Sequence, residues 1–324
     1  MNKITACLAC LLLFFVFNSN AQTKCDAPNN KANLPCIKTI LKLGNNEFEV
    51  RTYTKPIKNR VIDRTFAVVH HNEQKGLQAA KKVIAADGGR LIEVVSLDAD
   101  GKPRRFLHFD FADKTNVCFD PNRMYSKPGI IKFFKGYPRS EDNQADVCSP
   151  VSPEMFDSES DDLIKEVSRF GSELLKIVTD NFKHSFIIGV HNNVDLKLDV
   201  TTWNAPGGEA KTAVGVFRAN TEKHDAVIDA DDFVLVTNLN LFTKALALDE
   251  PINIALQEGL PFLRKNKNAV DDGSMSIYFG MNYFGKTNRA YDYINIEAEG
   301  KDDTEDDAKA RQTRLIRLIN KLKV

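Results

Sequence analysis

Two stretches of the chain, "RTFAVVH" (64–70) and "SFIIGVH" (185–191), run apolar and β-branched without alternation and then end in histidine. A strand of that kind has no face left for water, so it belongs inside a sheet covered on both sides. Helices must do the covering. The first follows directly: "EQKGLQAAKKVIAADGG" sets Leu77, Ala80, Val83 and Ile84 at helical spacing, with Gly88-Gly89 as its stop. "RLIEVVSL" then reads as a strand, "DGKP" as a turn and "RRFLHFDFA" as an alternating strand. Strand, helix, strand, strand is an α/β order, and the expected architecture is a mixed, mostly parallel sheet with helices on both faces.

The second half continues the pattern. Pro150–Pro153 opens a linker, and the acidic "DSESDD" leads into the amphipathic helix "LIKEVSRFGSELLKIVTDNF". Past the 185–191 strand, "DDFVLVTN" and "YDYINIEAE" are further strands, with short helices expected around Leu239–Leu248. The last helix starts acidic, "DDTEDDAKA", and ends basic, "RLINKLK", as the helix dipole favours. Residues 22–60 are polar and rich in Lys and Asn, with "EFEVRTY" as their one candidate strand. The division expected is therefore a leader over 1–21, an N-terminal arm over 22–60 and one α/β domain over 61–324.

The leader is a short positive start, "MNK", an apolar run of 14 residues and small residues at Ser19 and Ala21. It reads as a secretory signal peptide cut near Ala21, since a bilayer core needs about 20 apolar residues. Too little apolar chain precedes Cys7 for a lipidation signal, so no membrane anchor is expected. Four cysteines remain after the leader, and an even number in an exported chain points to two disulfides, with proximity favouring Cys25–Cys36 and Cys118–Cys148. The absence of an Asn-x-Ser/Thr sequon favours bacterial export, and a secreted or periplasmic protein is expected. The formal net charge is zero and no basic block occurs, so nucleic acid is not an expected partner.

The chemistry gathers at the strand ends. In open α/β sheets ligands lie beyond the carboxyl ends of the strands, which puts His70 and His191 at one crevice. Glu73 is in the turn that starts the next helix and can converge on the same point. Two imidazoles and a carboxylate are a ligand set of hydrolytic zinc sites that keep an open position. His70 is chosen over His71 because neighbouring strand residues point to opposite faces. In "CFDPNRMYS", Asp-Pro-Asn is turn chemistry, and the turn can aim Asn122 and Arg123 into the crevice, where a guanidinium fork suits a substrate carboxylate. Arg105, or the adjacent Arg104, can stabilise a developing oxyanion. On "YDYINIEAE", alternation puts Asn295, Glu297 and Glu299 on one face, so Glu297 or Glu299 is a candidate general base.

Taken in order, His70-x-x-Glu73, an arginine, Asp-x-Asn-Arg at 120–123, His191 at a strand end and Glu297 late in the chain resemble the zinc carboxypeptidase superfamily, including its succinylglutamate desuccinylase/aspartoacylase branch. The resemblance spans His70 to Glu299 and lies in the order of motifs. It implies that His70, Glu73 and His191 hold one zinc ion, that Asn122 and Arg123 grip the substrate carboxylate, that Arg105 stabilises the oxyanion and that Glu297 is the base. The implied activity is cleavage of an amide or peptide bond beside a free carboxylate, by a carboxypeptidase or an N-acyl amino acid deacylase, with a peptide or N-acyl amino acid as partner. A non-catalytic binder of peptides or cell-wall fragments on the same scaffold is the alternative. Pro121 stands where the family has leucine, and Asn192-Asn193 follows His191 where carboxypeptidases have a small residue, which marks a divergent exported branch. "DDGSMSIYFG" is expected to line the pocket, and Tyr278, Tyr283, Tyr291 and Tyr293 are candidates for a substrate-capping tyrosine.

Overall fold

The computed structural model describes residues 23–25, 33–56, 64–135, 159–179, 186–193, 216–219, 232–237, 239–247, 253–257, 271, 273–282, 292–299 and 305–321. The expected leader, the 150–153 linker, Cys148, Tyr283 and Tyr291 lie outside them.

The chain enters through β1 (Thr23–Lys24), β2 (Cys36–Leu43) and β3 (Asn46–Lys55), an antiparallel run. Of β2 and β3 only β3 was expected as a strand, within an N-terminal arm. Instead β3 pairs antiparallel with β5, so the hairpin extends the large sheet. The reason is visible in β2, where Thr39, Leu41 and Leu43 turn inward while Ile37 and Lys42 are exposed. Next come β4 (Arg64–Val68), helix α1 (Gln74–Asp87) and β5 (Gly89–Val94), with β5 parallel to β4. α1 ends where expected, at Gly88, whose φ of 83° no β-carbon-bearing residue adopts easily and whose N–H caps Ile84.

β6 (Leu107–Phe111) and β7 (Lys114–Phe119) form a separate two-stranded sheet, so only the second half of "RRFLHFDFA" is strand. Two helices, α2 (Lys127–Phe134) and α3 (Glu159–Thr179), precede β8 (Phe186–Asn193). The remainder runs β9 (Val216–Ala219), β10 (Phe233–Val236), α4 (Leu239–Leu246), β11 (Asn253–Gln257), α5 (Met275–Asn282), β12 (Asp292–Glu299) and α6 (Glu305–Lys321).

The large sheet has the order β1-β2-β3-β5-β4-β8-β12-β10-β11-β9. Its centre, β5-β4-β8-β12, is parallel, and antiparallel pairs flank it on both sides. Alternation divides the core. Phe66, Val68, Ile188, Val190, Ile294 and Ile296 face α1, α4 and α6, while Ala67, Val69, Ile187 and Tyr293 face α3, α5 and the β6–β7 hairpin. Each large apolar side chain so buried contributes roughly 1.5–3 kcal/mol. The parallel centre therefore has no solvent face, as the unalternating sequence required. None of the helices among the described residues is long and apolar enough to cross a membrane.

Candidate metal centre

β4, β8 and β12 run parallel, so their carboxyl ends lie at the same edge of the sheet. His70 follows β4 by two residues. The chain then turns, with the Glu73 N–H bonded to the His70 carbonyl, and Glu73 becomes the N-cap of α1. His191 reaches the same point from β8. His70 Nδ1 lies 2.8 Å from Glu73 Oε1, and His191 Nδ1 lies 3.1 Å from Glu73 Oε2. All three side chains are buried, and their ligand atoms lie within 4.8 Å of one another.

The carboxylate of Glu73 pays for burial and is still held well below the usual range. Burial alone would raise its pKa, but the His70 and His191 charges and hydrogen bonds outweigh it. His191 is shifted the other way. Burial lowers it, and Glu73 more than restores it. An anion shared between two imidazoles is what a divalent cation replaces protons in. Ligand atoms around tetrahedral zinc stand roughly 3.3 Å apart, close to the spacings here. The donor set thus fits a single metal ion.

Asp120 completes the first histidine. Its Oδ1 lies 2.8 Å from His70 Nε2, so a proton on Nε2 leaves the Nδ1 lone pair facing Glu73. From the sequence, Asp120 was expected only to shape a turn. Its carboxyl also sits well below the ordinary range, with burial opposed by the charge and hydrogen bond of His70 and the charges of Arg105 and Arg123.

His71 goes elsewhere. Its Nδ1 lies 2.8 Å from the Ser96 carbonyl and its Nε2 3.2 Å from Glu93 Oε1, on the far side of the turn from the ligands. Of the two arginines, Arg105 faces the cluster, with Nη1 3.5 Å from Glu73 Oε1 and Nη2 3.9 Å from Asp120 Oδ2. The Asn72 N–H donates to the Arg104 carbonyl at 3.2 Å, which ties the arginine segment to the ligand turn.

Glu297 stands opposite His191 in the β8–β12 register, and Glu299 stands opposite Asn193. The Asn295 amide donates to Glu297 Oε1 at 2.7 Å. Burial and the Glu73 charge raise the Glu297 pKa, while His191, Asn295 and Arg105 pull it down. The net shift is upward, towards what a general base near neutral pH needs. Asn122 is engaged structurally: its Oδ1 accepts from the Met275 N–H at the start of α5, at 3.1 Å. That leaves its amide nitrogen as the donor for other partners. Arg123 is half-buried and near enough to Asp120 to lower it. The "DDGSMSIYFG" segment packs on this turn, since Gly273 accepts from the Tyr125 N–H and a Cβ at Gly273 would fall 2.3 Å from the Arg123 carbonyl. Tyr293 is fully buried and Tyr278 partly so, which makes Tyr278 the less buried of the two described candidates for the capping tyrosine.

Fold and site together describe a mixed α/β protein with a His-Glu-His group at the ends of its parallel strands. No protein-family model matches the chain, and no curated protein is similar to it at a significant level. Among solved structures it is similar to a Shewanella frigidimarina protein provisionally described as a succinylglutamate desuccinylase/aspartoacylase, with 8% identity, a TM-score of 0.39, and 89% of this chain and 72% of that one covered. It is also similar to a metallo-carboxypeptidase from Burkholderia cenocepacia, with 11% identity, a TM-score of 0.36, and 87% and 63% covered. A third is a succinylglutamate desuccinylase from Vibrio parahaemolyticus, with 9% identity, a TM-score of 0.35, and 94% and 78% covered. At that identity and superposition, the residues of the site stand on their own geometry.

Proposed function

We propose that the chain is an exported zinc-dependent hydrolase that cleaves an amide or peptide bond next to a free carboxylate. The observation that carries this is the meeting of His70 and Glu73 with His191, 118 residues beyond Glu73, in one buried cluster with Glu297 across from it. A zinc ion held there supplies Lewis acidity to the scissile carbonyl and lowers the pKa of water.

The chain's own residues do the rest. Glu297, its affinity for protons raised by burial, takes the proton of the attacking water and returns it to the leaving amine. Arg105, 26% exposed beside Glu73, balances the charge that develops on the carbonyl oxygen. Arg123 and the Asn122 amide bind the substrate carboxylate, the arginine by its planar fork. The buried sides of the cluster exclude bulk water and strengthen each of these interactions.

Metal content tests the reading. The purified protein should carry about one zinc per chain, and His191→Ala should lose most of it; equal zinc in both sinks the proposal. Glu297→Gln should keep its zinc while hydrolysis of a panel of peptides and N-acyl amino acids drops by about 10²–10⁴-fold. Zinc bound tightly with no turnover across the panel would instead support a binding protein on this scaffold.

A further inference from the structure

One side chain of α6 reaches the back of the cluster. Gln312 is 1% exposed, and its Nε2 donates to the His191 backbone carbonyl at 2.6 Å and to Asn192 Oδ1 at 3.1 Å. Its Oε1 is buried with no hydrogen-bond partner among the described residues. A buried acceptor left unmatched is destabilising. An apolar side chain of the same length would fill the space without that cost. The amide is therefore kept for what its nitrogen holds.

What it holds is the junction between the two elements that carry ligands. Gly76 lies in the first turn of α1, three residues after Glu73. A Cβ placed on it would lie 2.9 Å from Val190 Cγ1, 3.1 Å from Asn192 Oδ1 and 3.8 Å from Gln312 Nε2. The bare glycine lets the end of β8 come against α1, and Gln312, from the helix packed beside α1 on the same face of the sheet, bonds to that end next to the contact. The distance under control is the 3.1 Å between His191 Nδ1 and Glu73 Oε2.

We propose that Gln312 is a positioning residue for the metal centre: its amide fixes the end of β8 so that His191 meets Glu73 across the Gly76 contact. This rests on His70, Glu73 and His191 being the metal ligands. Residues that orient ligands without touching the ion typically change metal affinity 10- to 100-fold when altered.

The test is zinc affinity, measured by competition with a chromophoric chelator, alongside thermal unfolding of the chelator-treated protein. Gln312→Met keeps the length and removes the donor, and its zinc dissociation constant should rise 10- to 100-fold. Gly76→Ala adds the Cβ that pushes β8 off α1 and should weaken zinc in the same direction. It decides the matter if the methionine variant does not fold. Ile319→Val, elsewhere in the buried face of α6, is the control and should lower the unfolding temperature while zinc affinity stays at the wild-type value. A Gln312→Met protein that folds and binds zinc within twofold of wild type overturns the proposal alone. Wild-type protein that binds no zinc overturns the metal-centre reading, and this proposal with it.

Discussion

Asp120 is 2% exposed, and its Oδ1 lies 2.8 Å from His70 Nε2 and 2.7 Å from the Asn122 backbone N–H. One carboxylate oxygen thus sets the tautomer of His70 and the shape of the turn that carries Asn122 and Arg123. Replacing it separates charge from shape. Asp120→Asn retains an acceptor and should weaken zinc about tenfold, while Asp120→Ala should approach 100-fold. The chelator competition reads both, and unaltered affinity in the two would show that Asp120 does not orient His70. The His-Glu-His group was legible because a histidine at the end of an all-apolar strand has few places to go. Asp120 and Gln312 were not, because their roles depend on partners 50 and 121 residues away. A turn signal such as Asp-Pro-Asn explains itself locally and conceals a second use.

Between α1, β3 and β5 lies a buried charged cluster that the site does not contain but leans on. Glu93, on β5, accepts from Tyr53 Oη at 2.7 Å and from Lys81 Nζ at 3.3 Å, and lies 3.2 Å from His71 Nε2. Burial raises the Glu93 pKa, but the His71 hydrogen bond, the Lys81 charge and the Tyr53 hydrogen bond overcome it and hold it down at about 2. A depressed folded pKa means stability that is complete above the unfolded value and disappears as pH falls through the folded one. Between about 4.5 and about 2, the shift is worth roughly 3 kcal/mol. Glu93→Gln removes that share. The difference in unfolding free energy between wild type and variant should be largest above about pH 5 and shrink as pH approaches 2. Denaturant melts across that range check it, and a pH-independent difference would mean Glu93 contributes by packing alone. At this scale the sequence showed the strands buried on both faces and the plainly alternating β3 and β6, and hid β2 and β7. β2 interleaves Lys38 and Lys42 with its inward residues and β7 opens on Lys114, Thr115 and Asn116 before its three buried ones, so both read as polar chain until a partner strand is known.

Across the whole molecule, the His-Glu-His group and the N-terminal cross-link sit in different parts of one sheet. Cys25 and Cys36 are joined, as expected, and the bridge fastens β1 to β2 at the sheet's edge. The second expected bridge involves Cys148, outside the described residues. Closing a loop with a separation of 11 residues is worth about 3 kcal/mol in the chain-entropy account. β1 is four strand spacings from β4, or about 19 Å at ~4.8 Å each, so that stability is remote from the ligands. Stability and metal affinity should therefore separate. Replacing both Cys25 and Cys36 by serine should lower the unfolding free energy of the metal-free protein by roughly 2–3 kcal/mol and leave the zinc dissociation constant within twofold. A parallel loss of zinc affinity would show instead that order is transmitted from the edge hairpin through β3 and β5 to the His70 turn. That result would make the β2–β3 extension part of the metal centre's support.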